Sequence, residues 1–150
     1  EAYRAIDWSV IVLLAAMIPV GQALDSTGGA DLIAAQILAV AEGHAAWVGV
    51  TIILAGTMLL SNVVNNAAAA VLVAPIALGL SQQLGLASDA ALMAVAVGAS
   101  CAFLTPIGHQ SNALVMEPGG YRFGDYWRLG LPLSVIVTGV AVPMILWVWA

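Results

Sequence analysis

Charged residues are scarce in this chain of 150 residues. Lysine and arginine together number three and aspartate and glutamate eight, so that only 7% of the residues carry a charge. A soluble domain carries roughly 25%, and a water-exposed surface cannot be built from so few charged side chains. A hydrophobic content of 63% and a mean hydropathy of +1.05 suit a chain whose solvent is lipid. We therefore predict an integral membrane protein with the lipid bilayer as its main partner.

Further absences narrow the class of function. The net charge is −5 and no basic patch is present, which argues against a nucleic-acid partner. The single cysteine, Cys101, cannot form an intrachain disulfide, and neither CxxC nor Cys/His metal spacing occurs, so we interpret it as a packing residue. Ser111 lies near His109 in the sequence, but no further motif of an intramembrane serine protease accompanies them. No enzymatic activity is predicted.

The few charged residues are unevenly distributed along the chain. Four stretches contain no Asp, Glu, Lys or Arg. They lie between Asp7 and Asp25, between Glu42 and Asp89, between Asp89 and Glu117, and after Arg128. A helix needs about 20 apolar residues to cross the hydrocarbon core of a bilayer. Each stretch is long enough, or nearly so, for at least one crossing, and we predict an all-α membrane domain.

The turn signals and polar interruptions divide the chain into six predicted elements. In chain order these are a span over 8–24, an interfacial amphipathic helix over 30–41, a hairpin over 45–80, a broken helix over 89–116, an interfacial helix over 121–128 and a last span over 129–148. All six belong to one domain that covers residues 1–150.

The predicted hairpin is interrupted by the polar segment 61–66. At 1.5 Å per residue its arms, 45–60 and 67–80, would each cover roughly 21–24 Å, which is short of the ~30 Å hydrocarbon core. Two short arms around a polar break predict a re-entrant helical hairpin whose tip lies inside the membrane. Two full, tilted spans with Asn65 and Asn66 at the far interface are the alternative.

A second polar break, 105–112, interrupts the following helix and contains Pro106 and Gly108. Non-helical backbone survives at membrane depth only where it lines a cavity or is buried in protein. The carbonyl groups and side-chain oxygens freed at such breaks suit a cation such as Na⁺, and N–H groups at helix N-termini suit an anion. Interhelical hydrogen bonds made by Asn65 and Asn66 and a packing role for His109 are the alternative interpretations.

The arginines predict an orientation. With the hairpin entering and leaving on one side, Arg4, Arg122 and Arg128 all fall on the same side of the bilayer. The positive-inside rule makes that side cytoplasmic. The hairpin then opens from outside, and the C-terminus is outside.

Three stretches of sequence resemble a known family. They are Asn65–Ala70 followed by Pro75–Ile76, Cys101–Ala113, and Pro118–Phe123. The chain resembles the divalent anion:sodium symporter family of the ion transporter superfamily, which includes the citrate-transporter-like permeases. The family's fold implies two inverted repeats, each with a re-entrant hairpin and a broken helix, and this chain resembles the second, C-terminal repeat.

The resemblance also implies a function. It implies sodium-coupled secondary transport of a small divalent anion, sulfate or a di- or tricarboxylate, by an elevator-type motion in a homodimer. It places the protein, with its N-terminal repeat, in the inner or plasma membrane as a multi-pass protein, with no cofactor besides the coupling Na⁺. An arsenite or sodium/proton exchanger of the same superfamily and a non-transporting membrane domain remain alternatives.

The family's motifs imply site residues at both breaks. The implied sodium ligands are Ser61, Val64, Asn66 and Gly108. The implied substrate-binding residues are Asn65, Asn66, Ala67, His109, Gln110 and Ser111. Departures from the family's pattern, Asn for Ser at 65, Ala for Thr at 67 and His-Gln for Thr-Pro at 109–110, remove hydroxyls that hold a dicarboxylate. The Asn-Asn-Ala-Ala form at 65–68 resembles sulfate-type or uncharacterised members more closely.

Overall fold

The computed structural model describes residues 8–41 and 46–149, and within these ranges the secondary structure is entirely helical. Seven α-helices follow one another, with a single 3₁₀ turn at Phe123–Asp125 before the last. Their bounds are α1 Trp8–Ser26, α2 Gly29–Ala41, α3 Ala46–Ser61, α4 Asn66–Leu84, α5 Ser88–Ser100, α6 Gln110–Met116 and α7 Tyr126–Trp149. Arg4, on which the predicted orientation partly depends, and residues 42–45, which include the predicted start of the hairpin, lie outside these ranges.

Helices α3, α4 and α5 pack against one another and form the centre of the fold. Helix α7 packs against α3 and α5, while α1 and α2 pack against α4. The core between the central helices combines branched aliphatic residues with alanines, and its fully buried members include Val50, Leu54, Ala77, Leu80, Ala90, Ala91 and Ala94. Small side chains at these positions allow the helix backbones to approach closely, which is how helices associate in lipid.

Gly98 marks the closest approach of α5 to α3. A Cβ at this position would lie 2.5 Å from the Leu54 carbonyl oxygen and 2.9 Å from Thr57 Cβ. Both distances are shorter than van der Waals contact, so only glycine fits here without movement of α3. The two central helices are therefore held together by close packing as well as by burial.

Two helical segments among the described residues are long and apolar enough to cross a bilayer. They are Asn66–Leu84, with a mean hydropathy of 1.6, and Phe123–Trp149, with 2.2. The 16 residues of α3 cover about 24 Å and the 19 of α4 about 28 Å. The outward face of α7 is apolar, with exposed Leu129, Leu131, Val135, Ile136 and Val140, as a surface facing lipid would be.

The predicted end of the second hairpin arm, at residue 80, is wrong by four residues. Helix α4 continues to Leu84 and ends at Gly85, which adopts the left-handed conformation with φ 65°. The Leu86 N–H then donates to the Ser81 carbonyl at 2.9 Å, a glycine-based helix end that satisfies the last carbonyls. The polar segment 81–83 is therefore the last turn of α4 rather than a loop.

The predicted break over 105–112 is displaced in the structure. Helix α5 ends at Ser100, the non-helical segment runs from residue 101 to residue 109, and residues 110–112 are already helical. The N–H groups of Leu104 and Thr105, which would have extended α5, donate instead to the side chain of Asn62. A tertiary interaction thus ends the helix earlier than Pro106 alone would.

The predicted interfacial helix over 121–128 is not a separate helix in the structure, and its position at a membrane interface stays a prediction. Residues 121–122 are not helical, and a 3₁₀ turn over 123–125 leads directly into α7. The Asp125 carboxylate accepts a hydrogen bond from the Arg122 N–H at 2.8 Å and caps this turn. Residues 126–128 consequently form the first turn of the last helix. The predicted elements 8–24 and 30–41 fall in α1 and α2, and their placement relative to a bilayer stays a prediction.

Gly98→Ala is expected to destabilise the protein, because the new methyl group would displace α3. Overpacking of this kind costs about 1–3 kcal/mol. The measurement is the midpoint of thermal unfolding of the purified protein in detergent. Gly56→Ala on α3 is the matched control, since its Cβ would meet nothing within 4 Å, and it should unfold at or slightly above the wild-type temperature. Equal midpoints for the two variants would contradict the close packing of α3 on α5.

Candidate functional site

The segment 62–65 between α3 and α4 lies against the non-helical segment 101–109. We call the first the tip and the second the break. Ser61, at the end of α3, and Asn66, at the start of α4, flank the tip and contact Ala99 and Gly108 on the other side. The two polar interruptions of the sequence, about 40 residues apart along the chain, therefore meet in one place.

Ser61 connects the two segments through its hydroxyl group. Its side chain is fully buried, and Oγ donates to the Ala99 carbonyl at 2.6 Å. That carbonyl lies in the last turn of α5, where carbonyl groups have no N–H partner within the helix. The serine thus satisfies a carbonyl that the end of α5 leaves free.

The side-chain amide of Asn66 faces three oxygen atoms. The Ala99 and Gly108 carbonyls can only accept hydrogen bonds, and the Ser61 hydroxyl already donates its hydrogen to the Ala99 carbonyl. We therefore assign the amide nitrogen to the atom that faces them, with Nδ2 at 3.2 Å from Ala99 O, 2.9 Å from Gly108 O and 2.8 Å from Ser61 Oγ. The two amide N–H groups and the Ser61 hydroxyl supply three hydrogens to these three oxygens, so three oxygen atoms converge on one amide group.

Gly108 has no room for a side chain. A Cβ there would lie 2.5 Å from Ala102 Cβ, 2.7 Å from the Ser61 carbonyl oxygen and 3.1 Å from Asn62 Cα. The break can approach the tip this closely only because residue 108 is glycine. Its carbonyl group consequently reaches the Asn66 side chain.

Val64 and Asn65 complete the tip. The Val64 N–H donates to the Leu60 carbonyl at 3.0 Å, and no donor of the described residues bonds to the carbonyl oxygen of Val64 itself. The side-chain oxygen of Asn65 accepts from the N–H groups of Ala67 at 2.8 Å and Ala68 at 3.4 Å, and so caps α4. The exposed Asn65 side chain keeps its NH₂ group free of this cap.

His109 performs the same capping for α6. Its Nδ1 accepts from the Ser111 N–H at 3.2 Å, which leaves the proton of the neutral ring on Nε2. The His109 ring, at the end of the break, and the Ser111 side chain are both exposed, and Gln110 between them is the first residue of α6. An N–H donor and a hydroxyl group are therefore exposed where the break meets α6.

Asn62 and Asn112 were missing from the predicted site, and both hold the break in place. Asn62 is only 5% exposed, and its Oδ1 accepts from Leu104 N at 2.7 Å and Thr105 N at 3.2 Å. Asn112 Nδ2 donates to the carbonyls of Ala102 at 2.8 Å and Thr105 at 3.1 Å. A signal was available for both, because an asparagine inside an apolar stretch needs a buried partner.

The site contains no cluster of classical metal ligands. Within residues 8–41 and 46–149, no three side chains of His, Cys, Asp or Glu come together in a way that could hold a metal ion. The groups that converge at the tip and break are hydroxyl, amide and carbonyl oxygens. Such neutral oxygens suit a hard monovalent cation rather than a transition metal.

Comparison with known proteins identifies the family. A family model described as "Citrate transporter" matches residues 2–150. The chain belongs to the citrate transporter family. This confirms the citrate-transporter-like resemblance found in the motifs, and it makes the chain part of a membrane protein.

Several relatives of this citrate transporter family chain are named as transporters. It is 42% identical over 146 residues to an uncharacterized transporter of Synechocystis sp., which is 97% of this chain and 24% of the relative. An uncharacterized transporter of Escherichia coli is 36% identical over 145 residues, again 97% and 24%. Sodium/sulfate cotransporter 2 of Chlamydomonas reinhardtii is 30% identical over 142 residues, 94% and 16%. The chain thus spans a quarter or less of the length of these relatives, and none of the three is named as an enzyme.

Ser61→Ala is expected to destabilise this citrate transporter family domain, because it leaves the buried Ala99 carbonyl without its donor. A buried group that loses its partner costs about 1–3 kcal/mol. The thermal unfolding midpoint of the purified protein measures the effect. Ser100→Ala is the matched control, since this exposed serine bonds only to Ala96 O of its own helix, at 2.8 Å. A fall in midpoint that is no larger for Ser61→Ala than for Ser100→Ala would argue against the described network.

Proposed function

We propose that this chain is the second inverted repeat of a sodium-coupled secondary transporter for a small divalent anion. In this proposal α3, the tip and α4 form a re-entrant hairpin, and α5, the break and α6 form a broken transmembrane helix. Na⁺ binds between tip and break, and the anion binds next to it. The unit then moves across the bilayer by an elevator-type motion. The observation that carries the proposal is the convergence of the Ser61 hydroxyl and the Ala99 and Gly108 carbonyls on the side chain of Asn66.

The proposed sodium ligands are Ser61 Oγ, Asn66 Oδ1 and the carbonyls of Val64 and Gly108. Rotation of the Asn66 amide by half a turn would replace Nδ2 with Oδ1 at the same place. In the empty site the NH₂ group would neutralise the surrounding oxygens, and in the loaded site Na⁺ would do so. Unwound carbonyls that coordinate Na⁺ near the midplane are a recurring feature of secondary transporters.

The proposed anion site lies beside the cation and is formed by Asn65, Asn66, Ala67, His109, Gln110 and Ser111. The donors on its open side are the NH₂ group of Asn65, the Nε2–H of His109 and the Ser111 hydroxyl. A helix N-terminus also favours negative charge, and α4 begins here. The charge of Na⁺ would attract a divalent anion bound next to it, so cation binding would precede anion binding.

Sulfate is the anion we favour among sulfate and the di- and tricarboxylates. Asn65 and His109 supply N–H donors where the family's dicarboxylate binders supply hydroxyls. The relative from Chlamydomonas reinhardtii that is named a sodium/sulfate cotransporter supports this choice. Sulfate offers four oxygens to donors from any direction, which suits a set of N–H and O–H groups spread over two segments.

The rest of the protein would complete the site. The relatives are about four times as long as this chain, and we propose that their preceding part includes the first inverted repeat, with a second hairpin and break. We further propose a homodimer in the inner or plasma membrane, with Arg122 and Arg128 on the cytoplasmic side and no cofactor besides Na⁺.

Asn66→Ala in the full-length protein is expected to abolish sodium-coupled uptake without loss of expression, because the variant lacks both the cation ligand and the NH₂ group that replaces it. The measurement is uptake of radiolabelled sulfate, succinate and citrate into vesicles with and without an inward sodium gradient. Gln82→Ala, at the exposed far end of α4, is the matched control and should transport normally.

Several outcomes of that experiment would contradict the proposal. Normal sodium-dependent uptake by Asn66→Ala would remove Asn66 from the site. Wild-type transport that ignores the sodium gradient would instead favour an exchanger for arsenite or for sodium and protons. A wild-type protein that moves none of these solutes would favour a non-transporting membrane domain.

His109→Asp is expected to raise the KM for the anion by about tenfold or more, since a hydrogen bond to a charged group contributes about 1.5–3 kcal/mol. Aspartate keeps the acceptor that caps α6 but lacks the Nε2–H donor and adds a negative charge. His109→Asn keeps both an acceptor and a donor and should stay within about threefold of wild type. Initial rates over a range of anion concentrations measure both values, and equal KM values for the two variants would exclude His109 from anion binding.

A further inference from the structure

A dense set of hydrogen bonds joins the tip to the break beside the proposed cation site. We call Asn62, Leu104 and Thr105 the clamp. The side chain of Asn62 accepts from both backbone N–H groups, Leu104 N at 2.7 Å and Thr105 N at 3.2 Å. In return, the Thr105 hydroxyl donates to the Asn62 carbonyl at 2.6 Å. Tip and break are thus bonded in both directions.

The clamp extends to the proposed ligands on each side. Asn62 directly follows Ser61, and its Nδ2 donates to the Met58 carbonyl at 2.7 Å, which fixes it to the end of α3. Thr105 Oγ1 accepts from the Gly108 N–H at 3.3 Å, which holds the turn that ends at Gly108. The distance between Ser61 Oγ and the Gly108 carbonyl therefore depends on the clamp.

We infer that Asn62 and Thr105 are positioning residues of the cation site. This inference rests on the proposed function, in which Na⁺ binds between Ser61, Asn66 and Gly108. Neither residue is a ligand. Together they fix the separation of ligands that come from two different segments, and they make the hairpin tip and the break move as one body. Loss of the clamp would leave the same ligands present but spread over a range of separations, so sodium would bind more weakly.

The test is a sodium titration of the thermal unfolding midpoint of the purified full-length protein, with choline chloride replacing sodium chloride at constant ionic strength. The readout is the sodium concentration that gives half of the maximal stabilisation. Thr105→Val keeps the shape of the side chain but removes its hydroxyl, and it should raise this concentration about five- to tenfold. Thr105→Ser restores the hydroxyl and should stay within about twofold of wild type.

Matched controls separate positioning from general stability. Thr57→Val removes a hydroxyl that is fully buried and bonds only to Ile53 O of its own helix, at 2.7 Å, so the half-saturating sodium concentration should not change. Asn62→Ala removes the other half of the clamp and should shift this concentration in the same direction as Thr105→Val. The double variant Asn62→Ala/Thr105→Val should shift it by less than the two single changes combined, because both residues act in one network.

The outcomes distinguish this inference from the proposed function. If Thr105→Val and Asn62→Ala unfold at lower temperature but keep the wild-type sodium dependence, the clamp is only structural and the inference is wrong. If sodium does not stabilise the wild-type protein relative to choline, the proposed cation site is wrong and the inference fails with it. A raised sodium requirement in both variants, rescued by Thr105→Ser, supports the positioning role.

Discussion

Backbone groups that leave a helix inside an apolar medium need other hydrogen-bond partners, and this need governs the centre of the molecule. After Ser100 the chain leaves α5, and its freed groups bond to side chains of neighbouring segments. Asn62 accepts from Leu104 and Thr105, Ser61 donates to Ala99, and Asn112 donates to the carbonyls of two break residues. Each such group left unpaired in lipid would cost several kcal/mol. The non-helical backbone of the break is therefore stable only while it is bonded to the tip.

The partners are neutral, and this has a chemical consequence. A buried carboxylate would bind a cation strongly, but it would carry a heavy desolvation penalty whenever the site was empty. Amide and hydroxyl groups can satisfy one another through hydrogen bonds when no ion is present, as Ser61 and Asn66 do. They can also turn their oxygens to a cation. Such groups suit the proposed transport cycle, in which the site would fill and empty in turn.

Much of this arrangement could be predicted from the sequence, because polar residues in long apolar stretches are conspicuous. The two breaks and the all-helical fold followed from that pattern, and the family followed from the resemblance of three stretches of sequence. The limits of the elements did not. The end of α5 depends on Asn62, which lies about 40 residues away in the sequence. A contact over that separation cannot be predicted from the local sequence around Ser100. The end of α4 was readable in principle, since glycine commonly ends a helix as Gly85 does here, but the apolar pattern that defined the predicted arm ends at residue 80. The aromatic and charged composition of 121–128 is typical of a membrane interface and favoured a separate interfacial helix. In the structure Asp125 caps a 3₁₀ turn that leads directly into α7.

The same contacts set a condition on any elevator-type motion. The tip and the break are bonded to each other, but α6, which follows the break, is also bonded to the last helix. The Tyr126 hydroxyl donates to the Asn112 carbonyl at 2.6 Å, and at Gly130 the backbone of α7 touches Phe103 so closely that a Cβ would overlap its carbonyl group. A motion that carried the tip and break as one body would have to carry the first turns of α7 with them or break these contacts. Because α7 contains Pro132, which has no N–H to donate, one helical hydrogen bond is missing directly after the part that the break contacts.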